Sequence, residues 1–103
     1  MKLKETNPSE IKKFSDGSVI VTYEDRGSLA RTLDPDCLGK HNGWNVEGSV
    51  QEDYYKWVND FKATKGNWVV KGNFESEVTA TNMEALEDFL KYNPVEEWDY
   101  LDI

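Results

Sequence analysis

Hydrophobic positions between residues 49 and 66 repeat with the spacing expected for one face of an α-helix. In the segment SVQEDYYKWVNDFKATKG they fall at Val50, Tyr54, Trp57, Val58 and Phe61. The steps i, i+4, i+7, i+8 and i+11 are typical of a helix that buries one side. We therefore predict a helix over about 50–63. Because its buried side carries large aromatic rings, this helix needs a broad apolar surface, which a sheet would provide.

The residues at both ends of this segment favour the same helix. Ser49 is a favourable N-cap, and Glu52 three residues later completes a capping box. Gly66 can adopt the left-handed conformation that ends a helix. Lys62 and Lys65 precede it, where the helix dipole favours positive charge. The ends therefore agree with the prediction made from the spacing.

A second helix is predicted over about 82–92. Its apolar residues recur at helical spacing, at Met83, Leu86, Phe89 and Leu90. Thr81 is the predicted N-cap, with Glu84 at the third helical position. The pair Asn93-Pro94 should end the helix, because the residue before a proline disfavours helical dihedral angles.

Two β-hairpins are predicted, over about 19–33 and about 67–80. The first begins with Val19–Tyr23, a run rich in β-branched residues. The second contains Gly72-Asn73, which we predict as its turn, followed by alternating apolar and acidic residues. The expected fold is a small single α+β domain over residues 1–103. Its mainly antiparallel sheet would be formed by these hairpins and packed by the two helices.

The region 33–48 is predicted as an irregular loop, and it contains the only cysteine and the only histidine. Cys37 and His41 lie four residues apart. An imidazole beside a thiol is the arrangement that a cysteine nucleophile needs. Gly39 lies between them, however, and no Asn or Asp is evidently placed to orient the ring. The interpretation without a catalytic role, a packed cysteine near a surface histidine, is favoured. Cys37 and His41 remain weak catalytic candidates.

Metal and cofactor signatures are missing from the chain. Asp34 and Asp36 resemble the first two positions of a calcium loop, but the glycine and the terminal glutamate of such a loop are not in place. Zinc would require paired Cys or His ligands, of which one half is present. Nucleotide-binding and hydrolase motifs do not occur. We therefore predict no cofactor, no metal and, on balance, no enzymatic activity.

The net charge and its distribution say more about function than any sequence motif does. The net charge is −8, with 20 acidic and 12 basic residues. This argues against direct binding of duplex nucleic acid, which depends on Lys and Arg neutralising phosphates. Residues 84–103 contain seven acidic side chains against Lys91 alone, whereas residues 1–33 are nearly neutral. The negative field is therefore expected at the C-terminal end.

Aromatic residues are interleaved with these acids. A surface of acids with embedded rings is suited to a basic groove on a protein partner, because the rings anchor and the acids steer. The predicted partner-binding residues are Glu84, Glu87, Asp88, Glu96, Glu97, Trp98, Asp99 and Tyr100. Trp44, Trp98 and Tyr100 are the aromatics least expected to be buried. The leading hypothesis is a small acidic binding protein, such as a phage-type inhibitor or nucleic-acid mimic that blocks a nucleic-acid-handling enzyme.

Two other classes of protein remain open at this point. One is a small enzyme or thiol sensor that uses Cys37 and His41, and the other is a structural subunit of a homo-oligomer or hetero-oligomer. No apolar run approaches the length of a membrane span, and the N-terminus MKLKETNPSE lacks the hydrophobic core of a signal peptide. We therefore expect a cytoplasmic protein with a reduced thiol and no membrane contact. Its oligomeric state is not predicted.

Overall fold

The computed structural model describes residues 2–5, 10–23, 29–52, 56–73, 77–93 and 96–99. This part of the chain is mostly sheet, with one α-helix. The strands are β1 (Lys2–Glu5), β2 (Glu10–Lys13), β3 (Val19–Thr22), β4 (Leu29–Thr32), β5 (Gly39–His41), β6 (Trp44–Glu52), β7 (Lys56–Lys65), β8 (Trp68–Asn73), β9 (Glu77–Ala80) and β10 (Glu96–Asp99), and the helix is α1 (Met83–Tyr92). The predicted description with two helices is therefore only partly correct.

Seven of the strands form one antiparallel sheet, in the order β2-β3-β9-β8-β7-β6-β5. From β5 to β9 each strand pairs with the next one in the chain, and the β2–β3 hairpin joins the free side of β9. A smaller sheet has the order β1-β10-β4. Leu33, directly after β4, forms an antiparallel bridge with Val58 of β7. This bridge ties the smaller sheet to the larger one.

The core lies between the large sheet and α1, because alternate strand residues point to the helix side. Apolar side chains of β3, β6, β7, β8 and β9 are buried there, while their neighbours along each strand face solvent. From the helix, Leu86 and Phe89 complete this layer, and both are almost fully buried. The rings of Phe89 and Phe61 stack with centroids 5.4 Å apart. The stripe predicted for this helix is therefore the one that packs.

The predicted helix over about 50–63 is wrong, because this segment forms parts of the adjacent strands β6 and β7. Gly48 pairs with Phe61 and Val50 with Val58, so β7 carries one extra residue opposite Ser49. Such a bulge shifts the alternation of a strand by one position. Val58 and Phe61, three residues apart, are consequently both buried. A bulged strand thus reproduced the spacing of a helix.

Gly66 has the left-handed conformation that the sequence predicted, but for another purpose. Its φ is +59°, and it lies between Lys65 and Trp68, which form the last pair of β7 and β8. A positive φ at the first central residue is typical of a two-residue hairpin turn of type II′. The predicted helix end is therefore a hairpin turn.

The predicted hairpin over 19–33 is also wrong. Its first strand, β3, pairs with β2 and β9 in the large sheet. Its second strand, β4, pairs with β10 in the smaller sheet. The predicted turn between them falls on residues 24–28, outside the described residues. Two strands that are neighbours in sequence thus belong to different sheets.

The hairpin over 67–80 and the helix over 82–92 are confirmed, each with a local change. Strands β8 and β9 pair as predicted, but Gly72 and Asn73 lie within β8. Residues 74–76 lie outside the described residues. The N-cap of α1 is Asn82, whose side chain accepts from the backbone N–H of Ala85 over 2.8 Å. Thr81 instead bonds to Val69 of β8.

The region 33–48 is more regular than predicted. Pro35–Cys37 is one turn of 3-10 helix capped by Asp34. Strands β5 and β6 follow as a hairpin whose turn is Asn42-Gly43, with φ angles of +53° and +83°. Asn-Gly is the preferred sequence for a type I′ turn, which needs two positive φ angles. This signal was present in the sequence and could have identified the hairpin.

Candidate functional site

The outer side of helix α1 carries the acidic residues that the sequence singled out. Glu84 and Glu87 are exposed, whereas Ala85, Leu86 and Phe89 are buried against the sheet. Glu84 lies in the first turn, where the helix dipole favours negative charge. The spacing of three places both glutamates on one side of the helix. They are therefore available to a partner.

Asp88 has a different environment from these two glutamates. Its Oδ2 accepts hydrogen bonds from Lys65 Nζ at 2.8 Å and from Trp44 Nε1 at 2.9 Å. These bonds, with the charges of Lys65 and Lys91, hold the pKa of the Asp88 carboxyl below its usual value. The carboxylate thus remains ionised but is engaged inside the protein. Its predicted role in binding a partner remains untested.

Trp44 explains why an acid is needed at position 88. The indole is 1% exposed, stacks with Trp68 at 6.4 Å and meets the edge of Phe89 at 5.4 Å. A buried indole N–H needs an acceptor, and the carboxylate of Asp88 on α1 supplies it. The expectation that Trp44 is among the least buried aromatics is therefore wrong.

Lys65 completes this cluster by covering both tryptophan rings. Its Nζ lies 5.9 Å from the ring centroid of Trp44 and 5.9 Å from that of Trp68. A cation over an indole face is attracted by the ring, and here the same ammonium also pairs with Asp88. Lys65 was predicted at a helix end, and its pairing with Asp88 was not predicted. Nothing local signals a contact between residues so far apart in sequence.

The other predicted binding residues fall on the central strand of the smaller sheet. In β10, Glu97 is paired with Lys4 on one side and with Arg31 on the other. Asp99 is paired with Lys2 and Leu29. The register therefore places basic residues of the nearly neutral N-terminal third beside two acids of the tail.

Two further residues of the tail, Glu96 and Trp98, also lie in β10. Glu96 is paired with Glu5 and Thr32, and Trp98 is paired with Leu3 and Ala30. These positions alternate with Glu97 and Asp99, so they lie on the opposite face of the smaller sheet. Tyr100 lies outside the described residues. Strand β10 (Glu96–Asp99) is the central strand of the smaller sheet, with β1 on one side and β4 on the other.

The candidate catalytic pair comes together, but through the backbone. His41 Nε2 donates a hydrogen bond to the carbonyl oxygen of Cys37 at 2.5 Å, since a carbonyl can only accept. Nδ1 is then the ring nitrogen that could act as a general base toward a thiol. The hydrogen bond to the carbonyl does not involve the cysteine sulfur. This contact gives the thiol hypothesis no support.

The acids of the same region have a structural use. Asp34 Oδ1 accepts the backbone N–H of Asp36 at 2.9 Å and so caps the 3-10 turn. Among the residues that the structure describes, no three His, Cys, Asp or Glu side chains are grouped as a metal site would require. Within the same residues, no helix is long and apolar enough to span a bilayer.

Comparisons with known proteins add no functional information. No family model matches the chain. Neither a curated protein nor a solved structure gives a match. Function is therefore inferred from the chain's own residues.

Proposed function

We propose that this chain is a small acidic, non-enzymatic binding protein that docks onto a basic surface of a protein partner. The observation that carries the proposal is the pair Glu84 and Glu87, exposed on the outer side of a helix whose other side is fixed in the core. A rigid helix holds its charges in a defined position, so little order is lost on binding. The net charge of −8 adds long-range attraction for a basic partner.

The partner class that fits best is an enzyme that handles nucleic acid. Such enzymes hold phosphates in basic channels, and carboxylates at fixed positions can occupy the same channel. A phage-type inhibitor or nucleic-acid mimic would act in this way. The aromatic positions Trp98 and Tyr100 are the proposed anchors beside the acids.

The register of β10 changes the weight of the individual acids in this proposal. The register places Glu97 opposite Lys4 and Arg31, and Asp99 opposite Lys2. Asp88 already binds Lys65. The helix pair Glu84 and Glu87 is therefore the part of the acidic surface expected to contribute most.

The experiment compares two charge reversals of equal size. The test variant carries Glu84→Lys and Glu87→Lys, and the control carries Asp36→Lys and Asp60→Lys, which are exposed acids elsewhere on the surface. A third variant, Glu96→Lys with Glu97→Lys, tests the strand separately. Each protein is immobilised, exposed to lysate of the cell from which its gene comes, and eluted with a salt gradient. The captured protein is then purified and its association rate measured directly.

Loss of the partner in the helix variant, with retention in the control, is the expected result. Release at moderate salt should accompany it, because exposed charges are screened at a Debye length of about 8 Å in physiological salt. Equal binding by the helix variant and the control would refute docking through the helix. Binding that is indifferent to salt and to all three reversals would refute the acidic surface altogether.

The edge strands of the sheet are relevant to an alternative function, self-association through strand pairing. Strand β2 lies at one edge of the large sheet and is exposed throughout. Two of its four residues are Lys12 and Lys13, and edge lysines discourage pairing with another chain. This feature favours a protein that binds through side chains over one that adds strands. Light scattering over a range of concentrations distinguishes the two, since a structural homo-oligomer gives a mass that rises with concentration.

A further inference from the structure

The face of the large sheet that is turned away from α1, here called the open face, has a charge pattern of its own. Register defines a row across it that contains Lys12, Ile20, Thr79, Lys71 and Lys62 in successive strands. Neighbouring positions in such a row are about 5 Å apart. Glu47 of β6 continues the row beyond Lys62, so the row contains three cations and one acid. Acids are also present in the adjacent row of this face, at Glu10, Glu77 and Asp60. The part of the face that is cationic is therefore the stretch of the row from Lys12 to Lys62.

A cleft of about 360 Å³ lies on this face beside the row. That volume is within the range of small-molecule sites. Its lining is mostly apolar, with three hydroxyl groups, and consists of Phe14, Ser18, Val19, Ile20, Val69, Lys71, Thr79, Ala80 and Thr81. Phe14 is 47% exposed and Ile20 is partly exposed. An apolar ligand would therefore gain contact area here.

Each hydroxyl group of the cleft already donates a hydrogen bond within the protein. Thr79 Oγ1 donates to the carbonyl of Lys71 at 3.2 Å, and Thr81 Oγ1 donates to the carbonyl of Val69 at 3.3 Å. Ser18 Oγ donates to Asp16 at 2.6 Å. A hydroxyl has one proton to donate, so these groups can only accept hydrogen bonds from a ligand. They do not provide a site for an anionic group.

Lys71 provides that site, because it is the one ionisable side chain among the described lining residues. Directly opposite it on β7 is Lys62. Like charges at paired positions of adjacent strands repel each other. Lys62 has the acid Glu47 at its other paired position, whereas Lys71 has Thr79. An anion placed at Lys71 would therefore offset the repulsion from Lys62 and gain a charge-assisted hydrogen bond. The cleft thus combines an apolar floor with one cationic end.

From this arrangement we propose that the open-face cleft binds a small amphipathic anion. Its apolar body lies on Phe14, Ile20 and Val69, and its single anionic group, a carboxylate or an equivalent oxyanion, pairs with Lys71. Any further polar group of the ligand is a hydrogen-bond donor to the threonine hydroxyls. This site is on the opposite side of the sheet from the acidic helix, so it does not depend on the function proposed above.

The test uses octanoate as the probe, with 1-octanol and acetate as matched ligands that lack either the charge or the apolar chain. Binding is followed by the backbone amide resonances of the folded protein. The variant Lys71→Gln removes the charge from the cleft, and Lys62→Gln removes the same charge from the neighbouring strand. Both lysines are exposed, so the dispersion of the amide spectrum is expected to remain that of the unmodified protein.

We expect octanoate to shift the amide resonances of residues 18–20, 69–71 and 79–81, and we expect these shifts to saturate. Acetate and octanol should have much weaker effects. Lys71→Gln should weaken octanoate binding about tenfold, the loss of one charge-assisted hydrogen bond, and Lys62→Gln much less. Equal weakening by both variants would mean a diffuse electrostatic effect and would overturn the proposal. Shifts located elsewhere, equal binding of octanol, or no saturation would overturn it as well.

Discussion

The indole nitrogen of Trp44 and the carboxylate of Asp88, 44 residues apart, are joined by a hydrogen bond of 2.9 Å. Trp44 begins the long strand β6, and Asp88 lies in the last helix. The bond joins α1 to the sheet at a second point beside the buried residues Leu86 and Phe89. Both contacts are consistent with the outward direction of Glu84 and Glu87 on the same helix.

Substitution of Asp88 tests this relationship. Asp88→Asn keeps an oxygen acceptor for the indole but loses the ion pair with Lys65, whereas Asp88→Ala loses both. The free energy of unfolding should therefore decrease in both variants and more in Asp88→Ala, because the buried Trp44 N–H is then left without an acceptor. Urea unfolding followed by tryptophan fluorescence measures it. The neighbouring Glu87→Ala serves as control and should change stability by no more than about 0.5 kcal/mol.

The same carboxylate gives a prediction about pH. Hydrogen bonds from Lys65 and Trp44 lower the pKa of Asp88 below its ordinary value of 3.8. Its stabilising effect is therefore complete above that value and is lost as the pH falls through the lower pKa of the folded state. The stability difference between the unmodified protein and Asp88→Asn should persist at neutral pH and shrink below about pH 4. A difference that grew on acidification would contradict the assignment.

Gly72 tests the close approach of β8 and β9. A Cβ at this position would lie 2.2 Å from the carbonyl oxygen of Glu77 and 2.9 Å from Cα of Val78. Because backbone atoms cannot move aside cheaply, Gly72→Ala should destabilise the protein by about 1–3 kcal/mol. At Gly66 a Cβ would meet nothing within 4 Å, and asparagine tolerates a positive φ. Gly66→Asn should therefore unfold at nearly the same denaturant concentration as the unmodified protein.

The reactivity of the Cys37 thiol tests the remaining hypothesis, that the protein is an enzyme or thiol sensor. His41 Nε2 is bonded to the backbone carbonyl of Cys37, and we predict an ordinary, slowly reacting thiol. His41→Asn should leave the rate of iodoacetamide alkylation of Cys37 unchanged near neutral pH, after correction for any change in stability. A marked fall in rate in this variant would restore the thiol hypothesis.

Local patterns in the sequence were sufficient for part of the fold. The helix over 82–92 and the hairpin over 67–80 depend on contacts between residues close in sequence, and both are present. The bulge in β7, opposite Ser49, made this strand resemble a helix, because an extra residue converts a spacing of two into a spacing of three. Predictions from periodicity fail where the regular repeat is interrupted.

The sequence by itself determined the excess of acid, the amphipathic character of α1 and the exposure of Glu84 and Glu87. Only the tertiary structure decided that β3 pairs with β9, that Lys65 and Trp44 engage Asp88, and that Glu97 is paired with Lys4 and Arg31. The physical reason is that strand pairing and side-chain contacts between distant segments depend on how the whole core packs. The composition supplies the charges, and the packing determines which of them remain available to a partner.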